Sequence, residues 1–337
     1  MNIETIIFIP VLLFSFFITL LLIPVWIRHA KKINLLGKDM HKMNSELIPE
    51  AGGVVVLAGI FSGIFYYTLI KICVYHTYKN VITTFGLVIT ILFVAIIGIL
   101  DDTVGGWKKG LRQWQKPLLT IPAAIPFLLV NFHRTTIDLP ILGLKDVGLL
   151  YPLLLIPAGI VGSANAFNML AGYNGLEAGM GVIILGVISL LSFLSHQFFA
   201  VMLSLIGISA LIAFLFYNWY PAKIFPGDTL TYSIGAYIAI CAILGGVEKY
   251  ALFLFIPYFL DFFLPLRKGL QVEAFARVNK DGSIEQPYNQ IFDTTHLVIF
   301  LLKKIKKRVY ETDVVLIILG FEFILGLICV IVRLNAS

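Results

Sequence analysis

The chain is poor in charge. Only 13% of its 337 residues are Asp, Glu, Lys or Arg, where soluble domains carry about 25%. Cysteine is scarce as well: Cys73, Cys241 and Cys329 all lie in or beside apolar runs. They have no metal-ligand spacing and suggest no disulfide framework, so they read as packing or lipid-facing residues. There is no low-complexity tract, no clear internal repeat and no RNA- or DNA-binding motif, which removes nucleic acid as a partner. No basic residue precedes the first apolar run, 6–27, whereas Arg28, His29, Lys31 and Lys32 follow it. That order is the reverse of a secretory leader, so the run reads as a true first span with its N-terminus outside.

What the chain has is apolar length. It is 59% hydrophobic, with mean hydropathy +0.94. Runs of about 20 apolar residues, enough to cross a bilayer, recur throughout. The expected fold is an all-α polytopic membrane protein, with residues 1–337 forming one transmembrane catalytic domain. Ten spans are predicted at 5–27, 52–75, 81–101, 117–132, 148–170, 177–195, 198–219, 229–246, 250–266 and 312–334. The runs are too long and too continuously apolar for barrel strands. Nineteen of the 25 Lys and Arg fall in segments 28–50, 102–116, 220–228 and 267–311. Basic residues favour the cytoplasmic side, so these segments face the cytoplasm and both termini face out. Segment 134–147 reads as a short external hairpin. The one long polar stretch is 267–311.

Five polar segments share the predicted cytoplasmic face. Asp101-Asp102 ends the third span, where both mutual repulsion and the helix dipole disfavour paired carboxylates; a cation or a general-base role would account for them, and a stop-transfer pair is the simpler reading. Lys116 precedes the fourth span as an anchor or a phosphate ligand. Asn165, Asn168 and Gly172 are spaced to share a helix face. Asn174-Gly175 then breaks the helix and Glu177 opens the next. Asp228, in Ile-Phe-Pro-Gly-Asp-Thr-Leu, is placed as an N-cap or as a ligand to a divalent ion. His41, Lys42 and Glu50 lie in the first loop, which is otherwise only a solvated charged segment. Oxygen ligands beside cations form the mix that magnesium and diphosphate require.

The segment Asn-Ala-Phe-Asn-Met-Leu-Ala-Gly-Tyr-Asn-Gly-Leu-Glu-Ala-Gly, residues 165–179, resembles the hallmark of the polyprenyl-phosphate N-acetylhexosamine-1-phosphate transferases. It looks most like their eukaryotic and archaeal branch, the UDP-GlcNAc–dolichyl-phosphate GlcNAc-1-phosphotransferases. Ile-Pro-Glu-x-x-Gly-Val, Asp-Asp, Leu-Arg-x-x-x-Lys and Phe-x-Gly-Asp-Thr follow the family order, and the resemblance covers about residues 35–300. It implies transfer of a sugar 1-phosphate from a UDP-sugar to a polyprenyl phosphate lipid, releasing UMP, as the first membrane step of glycan assembly such as N-glycosylation. It also implies that Asn168 and Asp228 ligate Mg2+, or Mn2+, with the diphosphate. Asp101 and Asp102 would lie beside the reacting phosphates, one of them as base or as orienter of the acceptor, and Lys116 would hold a phosphate. Asn174 would read the uracil, Phe225 would stack on it, Glu50 would touch the ribose, and Arg277 would help hold the substrate. A homodimer is left open.

The family's basic cluster in the last cytoplasmic loop is missing: Val272-Glu273-Ala274 stands there, although Arg277-Val278-Asn279 downstream matches. Arg277, Lys280 or Arg267 would then have to supply the charge. Two rivals remain. One is the same chemistry with another UDP-N-acetylsugar or an undecaprenyl acceptor. The other is a transporter, which would ordinarily place its polar residues near the midplane and not at one boundary.

Overall fold

The structure is a computed structural model that describes residues 3–43, 46–104, 111–112, 114–139, 143–268, 272 and 274–335. Glu273 therefore lies outside the described residues. Among those described, eight helices are long and apolar enough to cross a membrane. They include α1 (Ile3–Lys32), α2 (Gly53–Cys73) and α3 (Val81–Val104). After α3 come two short helices, α4 (Gln115–Ala123) and α5 (Ile125–Val130), and then α6 (Ile156–Met169), entered through a π-helical turn at Tyr151–Leu155. The chain continues through α7 (Leu176–Leu194), α8 (Phe198–Asn218) and α9 (Gly227–Gly245). The short helices α10 (Glu248–Leu254) and α11 (Ile256–Leu266) follow, then α12 (Thr294–Lys303) and the long α13 (Glu311–Asn335).

Two expected spans are not single straight helices. The run at 250–266 is the pair α10–α11, bent by 52°; counted as one crossing it brings the total to nine. The run at 117–132 divides into α4 and α5 at Ala124 and falls short of the spanning criterion. Proline is the cause, since Pro122 and Pro126 flank the break and each removes a helix N–H donor. The backbone freed there is not left bare: the Thr90 hydroxyl of α3 accepts the Phe127 N–H at 3.1 Å, as an apolar setting demands.

Among the described residues, three small antiparallel hairpins accompany the helices. Strands β1 (Leu36–Lys38) and β2 (Leu47–Pro49) pair inside the first loop. Strands β3 (Thr136–Leu139) and β4 (Gly143–Asp146) form the hairpin expected at 134–147. In the last loop, β5 (Arg277–Val278) pairs with β6 (Ile284–Glu285). The three cysteines are free thiols, Cys73 exposed and the other two buried.

Helix α9 is the axis of the bundle. In its apolar window 83% of residues are buried, against 22% for α1, and it packs on α2, α3, α6, α7 and α8. Small residues let helices approach closely in a membrane, and two glycines do so at the start of α9. A Cβ on Gly53 of α2 would lie 2.3 Å from the Leu230 nitrogen, and one on Gly98 of α3 would lie 2.6 Å from the Thr229 Cα. Three elements are thus locked backbone to backbone beside Asp228. Gly53→Ala is expected to lower stability by about 1–3 kcal/mol through overpacking, whereas Gly159→Ala, which meets nothing within 4 Å, should be neutral or stabilising. Thermal melts of the detergent-purified variants decide this, and equal midpoints would remove the packing argument.

Candidate active site

The first turn of α9 exposes N–H groups that no preceding carbonyl can satisfy. Asp102, at the end of α3, satisfies them. Its Oδ1 accepts the Asp228 N–H at 2.7 Å; its Oδ2 accepts the Thr229 N–H at 3.1 Å and the Thr229 hydroxyl at 2.6 Å. Negative charge at a helix N-terminus is also favoured by the dipole, which resolves the unfavourable position Asp102 has at the end of its own helix. The N-cap position belongs to Pro226, so Asp228 sits inside the first turn and does not cap it. Gly227 holds φ +69°, and a Cβ there would stand 2.6 Å from Asp102 Oδ2, so the Pro-Gly turn is shaped to admit the foreign carboxylate.

Relieved of capping, the Asp228 carboxylate turns to Lys116. The ammonium lies 3.2 Å from Asp228 Oδ2 and 2.7 Å from Asp101 Oδ2. Asp101 Oδ1 also accepts the Leu111 N–H at 2.7 Å. One lysine from α4 therefore bridges carboxylates from α3 and α9, with the Tyr232 ring 5.8 Å from its nitrogen. Two carboxyl groups thus share one ammonium.

Asn168 joins this group through Thr231, one turn beyond Asp228. The Thr231 hydroxyl lies 2.6 Å from Asn168 Oδ1 and 3.1 Å from the Asp228 carbonyl oxygen. Asn165, a turn earlier on α6, serves packing: its amide donates to the Thr120 hydroxyl at 3.0 Å and to its own Val161 carbonyl at 2.8 Å. The expected shared face holds for the two asparagines and not for Gly172. Helix α6 ends at Met169, and Gly172 follows in a turn at φ +105°. That turn is fixed by the Glu177 carboxylate, which accepts the Gly172 N–H at 2.6 Å.

Lys116, Asn168, Asn174, Phe225, Asp228 and Glu50 line one cavity of about 990 Å³. Phe225 and Glu50 are held side by side: the Phe225 N–H donates to the Pro49 carbonyl at 2.8 Å, the Gly52 N–H to the Phe225 carbonyl at 2.9 Å, and the Trp26 indole to the Glu50 carbonyl at 2.9 Å. Arg277 is not among the lining residues. It is exposed on β5, opposite Glu285 in the hairpin.

Asn174 sits in a buried clamp that the sequence did not announce. Its N–H donates to Glu311 Oε1 at 2.6 Å, and its amide to Asp39 Oδ2 at 3.3 Å and Glu311 Oε2 at 3.5 Å. His41 stands beside it, with Nδ1 3.6 Å from Glu311 and Nε2 accepting the Ala276 N–H at 3.3 Å. Asp39, His41 and Glu311 are compact enough to hold an ion, but each already faces a donor, and Lys42 lies 3.4 Å from Asp39. Asp39, Thr229, Thr231 and Glu311 are the members that sequence reasoning missed. An acid in the first turn of the last apolar helix was the one signal for Glu311.

Fold and site together define a polytopic α-helical membrane protein with a lysine-bridged carboxylate and amide centre at one end of its central helix. The chain belongs to glycosyl transferase family 4, whose description matches residues 84–246, from α3 to the close of α9. It is 35% identical to a protein of Saccharolobus solfataricus across 97% of both chains; that relative carries a provisional name as a UDP-N-acetylglucosamine–dolichyl-phosphate N-acetylglucosaminephosphotransferase. A Dictyostelium discoideum protein bearing the same name without the qualifier is 29% identical over 73% of this chain and 68% of its own. A Streptococcus mutans phospho-N-acetylmuramoyl-pentapeptide-transferase is 31% identical over 73% of this chain and 75% of its own.

The geometry separates the two adjacent acids. Asp102→Ala should lower stability by about 1–3 kcal/mol, because buried N–H groups of α9 lose their acceptor, while Asp101→Asn should cost less, since Lys116 keeps Asp228. Thermal unfolding of both variants tests this, and equal losses would contradict it.

Glu50 carries a pH signature. Burial, and then the charge of Asp102, push its carboxyl up to about 7 from 4.5. A native pKa above the unfolded one means that the folded state binds more protons between those values. Stability from this group is therefore fully present below 4.5 and is lost as pH rises through 7. Wild type should fall relative to Glu50→Gln across that window by on the order of 3 kcal/mol, read from unfolding midpoints at pH 5 to 8. Parallel pH profiles would disprove it.

Proposed function

We propose that the chain transfers GlcNAc-1-phosphate from UDP-GlcNAc to the phosphate of a dolichyl-type polyprenol. An acceptor phosphate oxygen attacks the sugar-bearing phosphorus. The bond from that phosphorus to the bridging oxygen breaks, and UMP departs with the electron pair. The observation that carries the reading is the convergence of Lys116, Asn168 and Asp228 on one cavity, with Asp101 behind them on the Lys116 ammonium, in a chain whose relatives are named for this transfer.

The residues fit a divalent ion. Carboxylate and amide oxygens are hard donors of the kind magnesium takes, with substrate phosphates and water completing the shell. Asp228 and Asn168 would hold it, with Mn2+ as the other candidate. When bound, the ion would neutralise charge on the diphosphate oxygens. Lys116 supplies a further positive charge at the same spot and positions a phosphate. Asp101 and Asp228 hold its ammonium in place. Asp102, engaged by three donors, is a positioning residue for Asp228 and not a base. None is demanded, because an acceptor phosphate with second pKa about 6 is already ionised near neutrality. Asn174, Phe225 and Glu50 form the nucleoside end: the Asn174 amide oxygen for the uracil N–H, since its N–H groups go to Asp39 and Glu311, a ring for the uracil face and a carboxylate for ribose hydroxyls.

Counting the bent pair and the α4–α5 pair as one crossing each gives ten. Both termini then lie outside and the cavity faces the cytoplasm, where nineteen of the 25 Lys and Arg lie. In a prokaryote this is the cell membrane.

The test is turnover by the purified chain. With UDP-GlcNAc, dolichyl phosphate and Mg2+ it should release UMP, and EDTA should abolish release. Asp228→Asn should cut turnover by about 100-fold or more without lowering the thermal midpoint; turnover equal to wild type would remove the metal assignment. The Streptococcus mutans relative favours one second reading, the same chemistry on UDP-N-acetylmuramoyl-pentapeptide with an undecaprenyl acceptor. UMP release from that donor alone would select it.

A further inference from the structure

A second cavity, of about 540 Å³, opens on the same side of the molecule, outside the site described above. Lys31 reaches it from the last turn of α1, where the helix dipole favours cations. Lys223 reaches it from the segment between α8 and α9. Both side chains are exposed, and neither has a carboxylate partner among the described residues. The one acid in the wall, Glu46, is already 3.1 Å from the Lys42 ammonium. The rest of the wall is apolar: Ile27, Ile48, Ala222 and Leu47, the last 62% exposed.

We infer that this cavity binds the headgroup of an anionic phospholipid. Two unneutralised ammonium groups define a phosphate site. Lys31 ends one membrane helix and Lys223 lies in the short connection between two others, which puts both at headgroup depth, where basic pockets between spans hold anionic lipids. The exposed leucine and its neighbours provide a surface for the glycerol and upper acyl carbons. A free phosphate ion would have no use for that surface, and it is what selects a lipid. Lys31 and Lys223 come from parts of the chain far apart in sequence, so a bound lipid phosphate would tie α1 to the turn before α9. The Phe225 and Pro49 backbones join the far wall of this cavity to the larger one. A lipid would therefore brace the segment that carries Glu50; that consequence rests on the proposed nucleotide reading, while the binding does not.

The experiment measures binding alone. The full chain in detergent is titrated with phosphatidylglycerol, phosphatidylcholine or inorganic phosphate, and retained molecules are counted by native mass spectrometry. Wild type should retain one phosphatidylglycerol in preference to phosphatidylcholine. Each lysine removed should weaken retention about fivefold, so the Lys31→Gln/Lys223→Gln variant should lose about 25-fold. Lys79→Gln, at the other end of the bundle, should match wild type. The inference fails if wild type does not discriminate the two lipids, or if the double variant retains phosphatidylglycerol as wild type does. Inorganic phosphate that binds and displaces the lipid at equal concentration would overturn the lipid assignment in favour of the free ion. Because no turnover is read, an inactive enzyme would leave this result intact.

Discussion

Everything at the site follows from one hydrogen-bonded junction: the Asp102 carboxylate across the N-terminus of α9. A buried helix end presents unpaired donors that an apolar environment cannot satisfy. Most helices answer with a local cap. Here the answer comes from another span, 126 residues away in sequence. The consequence is positional. The cap fixes α3 against α9, close enough that glycine is required at Gly98, and leaves Asp228 with a carboxylate directed to the cavity.

Charge then organises what the junction has placed. Asp101, Asp102 and Asp228 lie within one small volume, and carboxylates so crowded repel unless cations or N–H donors intervene. The structure distributes the relief unequally. Asp102 is satisfied by backbone and hydroxyl donors, Asp101 by an N–H and the Lys116 ammonium, and Asp228 by a hydrogen bond from the same ammonium and by one shared with Asp101. The acid that faces the cavity beside Asn168 is Asp228.

Much of this was legible in the sequence. Charge depletion and apolar length give a polytopic helical protein without any structure, because the bilayer admits few alternatives. The polar interruptions in so apolar a chain mark Asp101, Asp102, Lys116, Asn168 and Asp228. What the sequence could not reveal is the division of labour among them. Adjacent acids look equivalent until one is seen against a helix end, and an Asp before an apolar run looks like its own cap. The broken crossing at α4–α5 was misjudged for a related reason. Hydropathy averages over Pro122 and Pro126, while the backbone responds to each. Arg277 matched a pattern in sequence, and the structure sets it on β5, two residues from the lining residue Phe275.

The clamp around Asn174 extends the same logic to the end of the chain. Glu311 begins α13, the last helix, yet its carboxylate is buried against an N–H and an amide from the loop between α6 and α7. Asp39, from the first loop, meets the same amide. A buried carboxylate without donors costs several kcal/mol, so each of the three segments is held by the need of the others. The loop that presents Asn174 to the cavity is thus rigid because the first loop and the last helix converge on it. A cavity wall held by the first loop and by α13 can form only once those distant segments have packed against the loop between α6 and α7.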